Sequence, residues 1–316
     1  MIAIPSVRSV ANRSSMAEQL VFTSTKSSGT WGGASTATIT FTDAQRLVVE
    51  YTGTGWSGGT ATVTYGTGTG YGSQTVNVSR TISGAGTKTI TMYPTDSSGS
   101  RIGRITACSL SQFSASNNAQ IASANIRGCR NLTSFYAGSG TNTLTSLDAS
   151  GLKELTSLNC STSGGITSVD VTGCSSLVTL DMSFTPLTTL TGLGSAASTL
   201  TGLFLGNTQI TSLDVSNFTV LHTLSVLECV SLTSLRAANV TFDNYGYSAY
   251  GNYVYNYDGG VNLANTTAMT TTAMNQFYTD LGSVGTGLIY VYGAGSVGDP
   301  SIATAKGYTV IGILPP

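Results

Sequence analysis

Four aspartates, a single histidine, five cysteines and one glycine triplet are the residues of this chain whose types and spacing could do chemistry. Asp148, Asp170 and Asp214 recur 22 and then 44 residues apart, and Asp181 holds the equivalent place in an interleaved series. Stacked carboxylates could bind Ca²⁺ or work as a glycosidase pair. Few other carboxylates flank them to complete such a site. A short aspartate beside a strand end also has a simpler use, which is to accept a hydrogen bond from nearby backbone. His222 stands alone, so no histidine-based metal site can form, and nothing beside it builds a Ser-His-Asp or Cys-His system. It is expected to point outward. Gly53-Thr-Gly55-Trp-Ser-Gly58 matches the spacing of a dinucleotide loop, but that loop needs a helix after it to meet the pyrophosphate. Here Gly59 to Tyr65 follows, which is strand-like, so the triplet reads as a hairpin loop. No catalytic residue, no cofactor and no metal ligand is expected, and the chain is not read as an enzyme.

The cysteines read as core residues. Cys129, Cys174 and Cys229 fall where Leu152, Phe218 and Val240 fall in other units, and Cys160 and Cys108 fill other apolar places. Free cysteine behaves as a small hydrophobe. Most are expected as reduced thiols, with a disulfide between stacked units as the alternative, and the odd count excludes complete intrachain pairing. Recognition chemistry points elsewhere, to Tyr245, Tyr247, Tyr250, Tyr253, Tyr255 and Tyr257. Tyrosine offers a large contact area, a hydroxyl and little entropy loss on ordering. These six are the expected contact surface for a glycan or protein. The alternative is a long loop packed on the protein's own flank or against a neighbouring copy.

A repeat positions these residues. Ile121, Leu132, Leu144, Leu155, Ile166, Leu177, Leu187, Leu200, Ile210, Leu221 and Leu232 follow one another at about eleven residues, each with a second apolar residue three on. A third usually follows two later, as at Ala149, Cys160 and Val171. Such a period signals stacked units that bury their apolar edges only against one another. Eleven residues are too few for one coil of a leucine-rich repeat, so two units make a coil of about 22. The series starting at 132, 155, 177, 200 and 221 is expected to supply parallel strands of a concave face. The series starting at 144, 166, 187, 210 and 232 is expected to form the extended convex side.

Four regions follow: an N-terminal arm at 1–30, a β-sandwich at 31–104, the solenoid at 105–242, and a tyrosine-rich loop with an α/β cap at 243–316. Between 36 and 105, runs rich in Thr, Val, Ile and Tyr alternate with glycine-rich turns about every ten residues, the spacing of a sandwich or barrel. Trp31 and Trp56 are expected to pack over its edge. In the cap, Met274, Phe277, Tyr278 and Leu281 share one helical face, with Thr270 or Thr271 as N-cap and Gly282 at the end. Asp299-Pro300 starts a short helix that Gly307 closes. Leu288 to Tyr292 and Tyr308 to Ile311 read as strands. The fold class is therefore mainly β.

Charged residues are only 9% of the chain and its net charge is −1, against roughly 25% charged in an average soluble protein. Nothing suggests a nucleic-acid partner, and no apolar run approaches a membrane span. Met1 to Leu20 lacks a continuous apolar stretch, so no secretory signal is expected.

Leu144-Thr-Ser-Leu-Asp148, Leu155-Thr-Ser-Leu-Asn159-Cys160 and Ile210-Thr-Ser-Leu-Asp214-Val215-Ser216 resemble the leucine-rich repeats of bacterial surface proteins. Asn275-Gln-Phe-Tyr-Thr-Asp-Leu281 followed by Asp299-Pro-Ser-Ile-Ala-Thr-Ala-Lys-Gly-Tyr308 resembles the end of leucine-rich proteins encoded by tailed phages. The resemblance covers roughly 105 to 316. It implies a structural protein of the virion, a tail-fibre, tail-associated or capsid-decoration component, exposed after lysis. Its partners would be other virion proteins, copies of itself and a host-surface glycan. The alternatives are a secreted bacterial surface adhesin and a tail-associated glycan hydrolase. The asparagine ladder usual in these repeats is mostly replaced here by Cys, Ser, Thr and apolar residues.

Overall fold

A computed structural model describes residues 20–24, 29–31, 37–42, 46–65, 73–77, 80–82, 84, 88–95, 112–115, 121–126, 132–138, 144–243 and 260–312. The protein is mainly β, and its repeat forms parallel sheets. The N-terminal strands are β1 (Leu20–Ser24), β2 (Gly29–Trp31), β3 (Ala37–Thr42), β4 (Arg46–Gly53), β5 (Ala61–Tyr65), β6 (Ser73–Asn77), β7 (Arg80–Ile82) and β8 (Lys88–Thr95). β9 (Gln112–Ala115) and β10 (Ile121–Asn125) lead into the repeat. β3, β4, β5, β6 and β8 lie in the stretch whose alternating runs predict strands, and residues 96–105 at its end lie outside the described residues. β1 was expected to belong to an arm. Instead it is an interior strand, antiparallel to both β8 and β10, as its Leu-Val-Phe start favours.

The first leucine series forms β11 (Ser134–Tyr136), β13 (Ser157–Asn159), β15 (Thr179–Asp181), β17 (Gly202–Phe204) and β19 (Thr223–Ser225). The second, expected as the extended convex side, also makes strands: β12 (Ser146–Asp148), β14 (Ser168–Asp170), β16 (Thr189–Thr191), β18 (Ser212–Asp214) and β20 (Ser234–Arg236). Both series carry the same three inward residues, so both can pair with the coil before. Each pairs in parallel with its own series, for example Ser157↔Thr179 and Ser146↔Ser168. The three apolar columns fill the interior. Leu155, Leu158 and Cys160 are fully buried, as are Leu177, Leu180 and Met182.

The first-series sheet is continuous. It joins β9, β3 and β6 at one end and runs to β21 (Gly260–Asn262), β22 (Gly287–Tyr290) and β23 (Tyr308–Ile311) at the other. The second-series sheet joins β10, β1, β8, β4 and β5, then breaks after β16, leaving β18 and β20 as a separate pair. The break falls where ten residues (192–201) separate β16 from β17, while eight (149–156, 171–178, 215–222) suffice elsewhere. The two extra residues form part of a 3₁₀ turn at Leu193–Ala196. Leu190, at the break, is only half-buried while its column mates Leu147, Val169 and Leu235 are buried.

Beyond β20, helices take the second-series places. Helix α1 (Thr271–Asp280) buries Met274, Phe277 and Tyr278, with Leu281 just beyond, and Thr270 Oγ1 accepts from the Ala273 amide at 3.2 Å. Helix α2 (Pro300–Thr304) starts on Asp299, whose carboxylate accepts from the Ser301 amide and hydroxyl at 3.0 and 2.7 Å. Gly307 ends it at φ 93°. Among the described residues no helix is long and apolar enough to cross a membrane.

Candidate functional site

Among the described residues nine coil corners turn through the left-handed region at an equivalent place, and this frames what the aspartates do. Five of the ten repeat strands β11–β20 end in Asp or Asn. Asp148, Asp170, Asp181 and Asp214 each accept, through Oδ1, the amide two residues on (Ser150, Thr172, Ser183 and Ser216) at 2.8–2.9 Å. Asn159 and Asn262 accept from Ser161 and Ala264 at 3.0 Å. One residue further on, the chain turns through the left-handed region at Gly151, Thr162, Gly173, Phe184, Asn207, Asn217, Glu228, Asn239 and Asn265. Glycine and asparagine tolerate that geometry, whereas Thr162, Phe184 and Glu228 carry strain there. The carboxylates are turn formers, as the simpler sequence reading held.

The next position satisfies the corner carbonyls from inside. Ser163 Oγ donates to Ala137 O at 2.9 Å, Cys174 Sγ to Ala149 O at 3.2 Å and Cys229 Sγ to Leu205 O at 3.0 Å. Thr185, Thr208 and Thr266 donate to the carbonyl three residues before, at 2.6–2.7 Å. Sequence reading found the cysteines of this column but missed Ser163, Thr185, Thr208 and Thr266. For Thr208 and Thr266 the available signal was a small hydroxyl one place after Asn; Ser163 and Thr185 follow Thr162 and Phe184 and carry no such mark. Cys160, Cys174 and Cys229 are free and buried, and burial pushes the Cys174 thiol up to about 11 and those of Cys160 and Cys229 upward as well. Cys108 and Cys129 lie outside the described residues.

A shallow groove of about 210 Å³ runs across the outer face of β12, β14 and β16. Its polar lining is Ser146, Asp148, Ser168, Asp170, Thr189 and Thr191, with Asp148 and Asp170 in register on neighbouring strands. Asp214 is on the separate β18–β20 pair. Asp181 is on the other sheet, where it accepts from Asn159 Nδ2 at 3.1 Å, and burial raises its carboxyl above the usual range. The four aspartates are therefore not one cluster. Among the described residues no group of three His, Cys, Asp or Glu side chains is placed to hold a metal ion.

His222 is half-exposed, as expected for its outward position, and its Nδ1 lies 2.7 Å from Asp243 Oδ1 in the next coil. Elsewhere that position carries threonines whose hydroxyls donate to the previous coil, as Thr156 does to Thr133 O at 2.9 Å. The glycine triplet is the loop of the β4–β5 hairpin, with Gly53, Gly55 and Gly58 at positive φ. Trp56 within it is buried, edge-on to Tyr51 at 5.3 Å, and donates Nε1–H to Thr52 O at 2.9 Å. The six tyrosines at 245–257 lie outside the described residues.

No family model, no curated protein and no solved structure matches this chain.

Proposed function

We propose that this chain is a non-enzymatic structural protein of a virion, a β-sandwich followed by a leucine-rich-repeat solenoid with a small α/β cap, carried at the tail or on the capsid. One observation supports it above others: all four repeat aspartates are engaged in forming coil corners, so the repeat spends its carboxylates on shape. What remains is a stack with two long sheet faces and little charge. A weakly charged surface gives little protection against association and suits a chain covered by copies of itself and by other virion proteins. A host-surface glycan is the further partner this reading carries.

The test is gold-labelled antibody microscopy on particles of the encoding phage. Label over the head makes the chain a capsid decoration, and label on the tail makes it a host-recognition component. Unlabelled particles overturn the proposal and return a surface adhesin to first place.

A second reading, glycan hydrolysis, rests on the groove alone. Residues in register on neighbouring strands sit about 4.8 Å apart, close to the roughly 5–5.5 Å of a retaining glycosidase pair. Release of reducing sugar from host polysaccharide, abolished by Asp148→Asn or Asp170→Asn, would establish it. An inactive wild type removes it.

A further inference from the structure

One residue from each strand of the continuous sheet forms a column in register: Phe135, Leu158, Leu180, Leu203, Leu224, Val261, Ile289 and Val310. The first seven are fully buried, and Val310 on β23 is only half-buried. Ile302 of α2, a helix that packs on β23, is half-buried as well, and both lie at the margin of the core. A stacked repeat needs an end unit with a polar outer face. At the end of the described stack the coil of β23 leaves apolar side chains part-covered instead.

The backbone is unfinished in the same place. Among the described residues β23 has one neighbouring strand, β22. Gly307 O and Ile311 O accept from the Gly287 and Val291 amides at 3.2 and 2.9 Å. Alternate residues of a parallel pair face the partner strand, so Gly307, Thr309 and Ile311 face β22, and the amides and carbonyls of Tyr308 and Val310 face away. Proteins blunt such edges with charge, proline or a bulge. β23 reads Tyr-Thr-Val-Ile, with no charge and no proline, and its register with β22 has no shift. Lys306, just before it, donates Nζ to the carbonyls of Thr279 and Leu281 and so is held at the end of helix α1. That same helix packs on β20, the last second-series strand.

We propose that the free edge of β23 is a self-association surface whose occupant is β23 of a second copy, paired antiparallel about a two-fold axis. The occupant is a second copy because the edge is complementary to itself. Val310 exchanges both backbone hydrogen bonds with its own counterpart, and Thr309 lies opposite Ile311. The uncharged strand meets no like charge across the pair. Both Val310 side chains share the core-facing side, so each column continues into the other and its half-buried end is covered. The inference deepens the virion reading, on which self-association rests, by naming the edge and the symmetry. Unlabelled particles would remove that reading and leave the dimer untouched, so the two fail separately.

The experiment is sedimentation velocity on the full-length chain over a concentration series. The expected result is a monomer–dimer equilibrium. Val310→Pro deletes the outward amide and leaves the bonds to β22 in place. It should raise the dimer dissociation constant roughly tenfold or more, with the circular dichroism spectrum unchanged. A wild type that is monomeric throughout, a dimer that Val310→Pro does not weaken, or growth beyond dimers would each overturn the proposal. Should the proline variant not fold, Val310→Cys takes its place. Mild oxidation should then join two copies by a disulfide between the peptides that hold position 310, located by peptide mass. Absence of that disulfide overturns the proposal.

Discussion

Arg236, on the last strand of the second series, grips Asp280 at the end of helix α1 through both Nε and Nη2, the latter at 3.2 Å from Oδ1. The same carboxylate accepts from Gln276 Nε2 at 2.7 Å and the Ala237 amide at 3.4 Å, and the Asp280 carbonyl takes the Asn239 amide at 3.1 Å. A helix end thus occupies the hydrogen-bonding edge that a further strand would otherwise fill, and an unfilled edge invites pairing with another chain.

Burial would by itself raise the Asp280 carboxyl, but Arg236, Gln276 and the Ala237 amide hold it below its ordinary value. A depressed folded pKa contributes stability that is complete above the unfolded carboxylate value and is lost as pH falls through the folded value. Asp280→Ala should therefore cost about 1–3 kcal/mol near neutral pH. The gap in melting temperature from wild type should narrow in acid. An equal gap at all pH values would show that the carboxylate charge plays no part.

Leu203→Asp places a charge among fully buried neighbours in the middle column, with Leu180 and Leu224 in register on either side. No cation is available there to compensate. The repeat should unfold, and circular dichroism should show loss of the β signal. A wild-type spectrum would mean that the column is not the core.

Two left-handed corners should show the same preference for glycine through opposite substitutions. Thr162 is exposed and β-branched at φ 60°, so Thr162→Gly should stabilise by about 1 kcal/mol through relief of left-handed strain. Gly192 sits at φ 76° with a Cβ position 2.2 Å from the Thr172 amide nitrogen. Gly192→Ala should cost more than about 1 kcal/mol. Thermal denaturation of both variants checks the pair of signs.

Cys160, Cys174 and Cys229 should resist iodoacetamide at pH 8 in the native protein, since burial keeps each as the neutral thiol. All three should react once the chain is unfolded in guanidinium. Rapid native labelling at any of them, located by peptide mass, would contradict the corner geometry.

What could be read from the residues alone was whatever repeats or acts locally. The 22-residue coil, the inward Leu158 and Leu180, the Thr270 and Asp299 caps and the backbone role of Asp148 follow from periodicity and from bonds spanning a few positions. Both leucine series carry the same local pattern, so sequence did not show that each would pair into strands. Pairing depends on a neighbour 22 residues away, and Leu193–Ala196 interrupts one sheet while leaving the other intact. The corner position of Asn207 and Asn217 was equally hidden, because a left-handed residue is recognisable only relative to a strand end. His222 meeting Asp243 and Arg236 meeting Asp280 have no local signature. They arise from the stacking of coils, which is long-range, and so only folding brings them about.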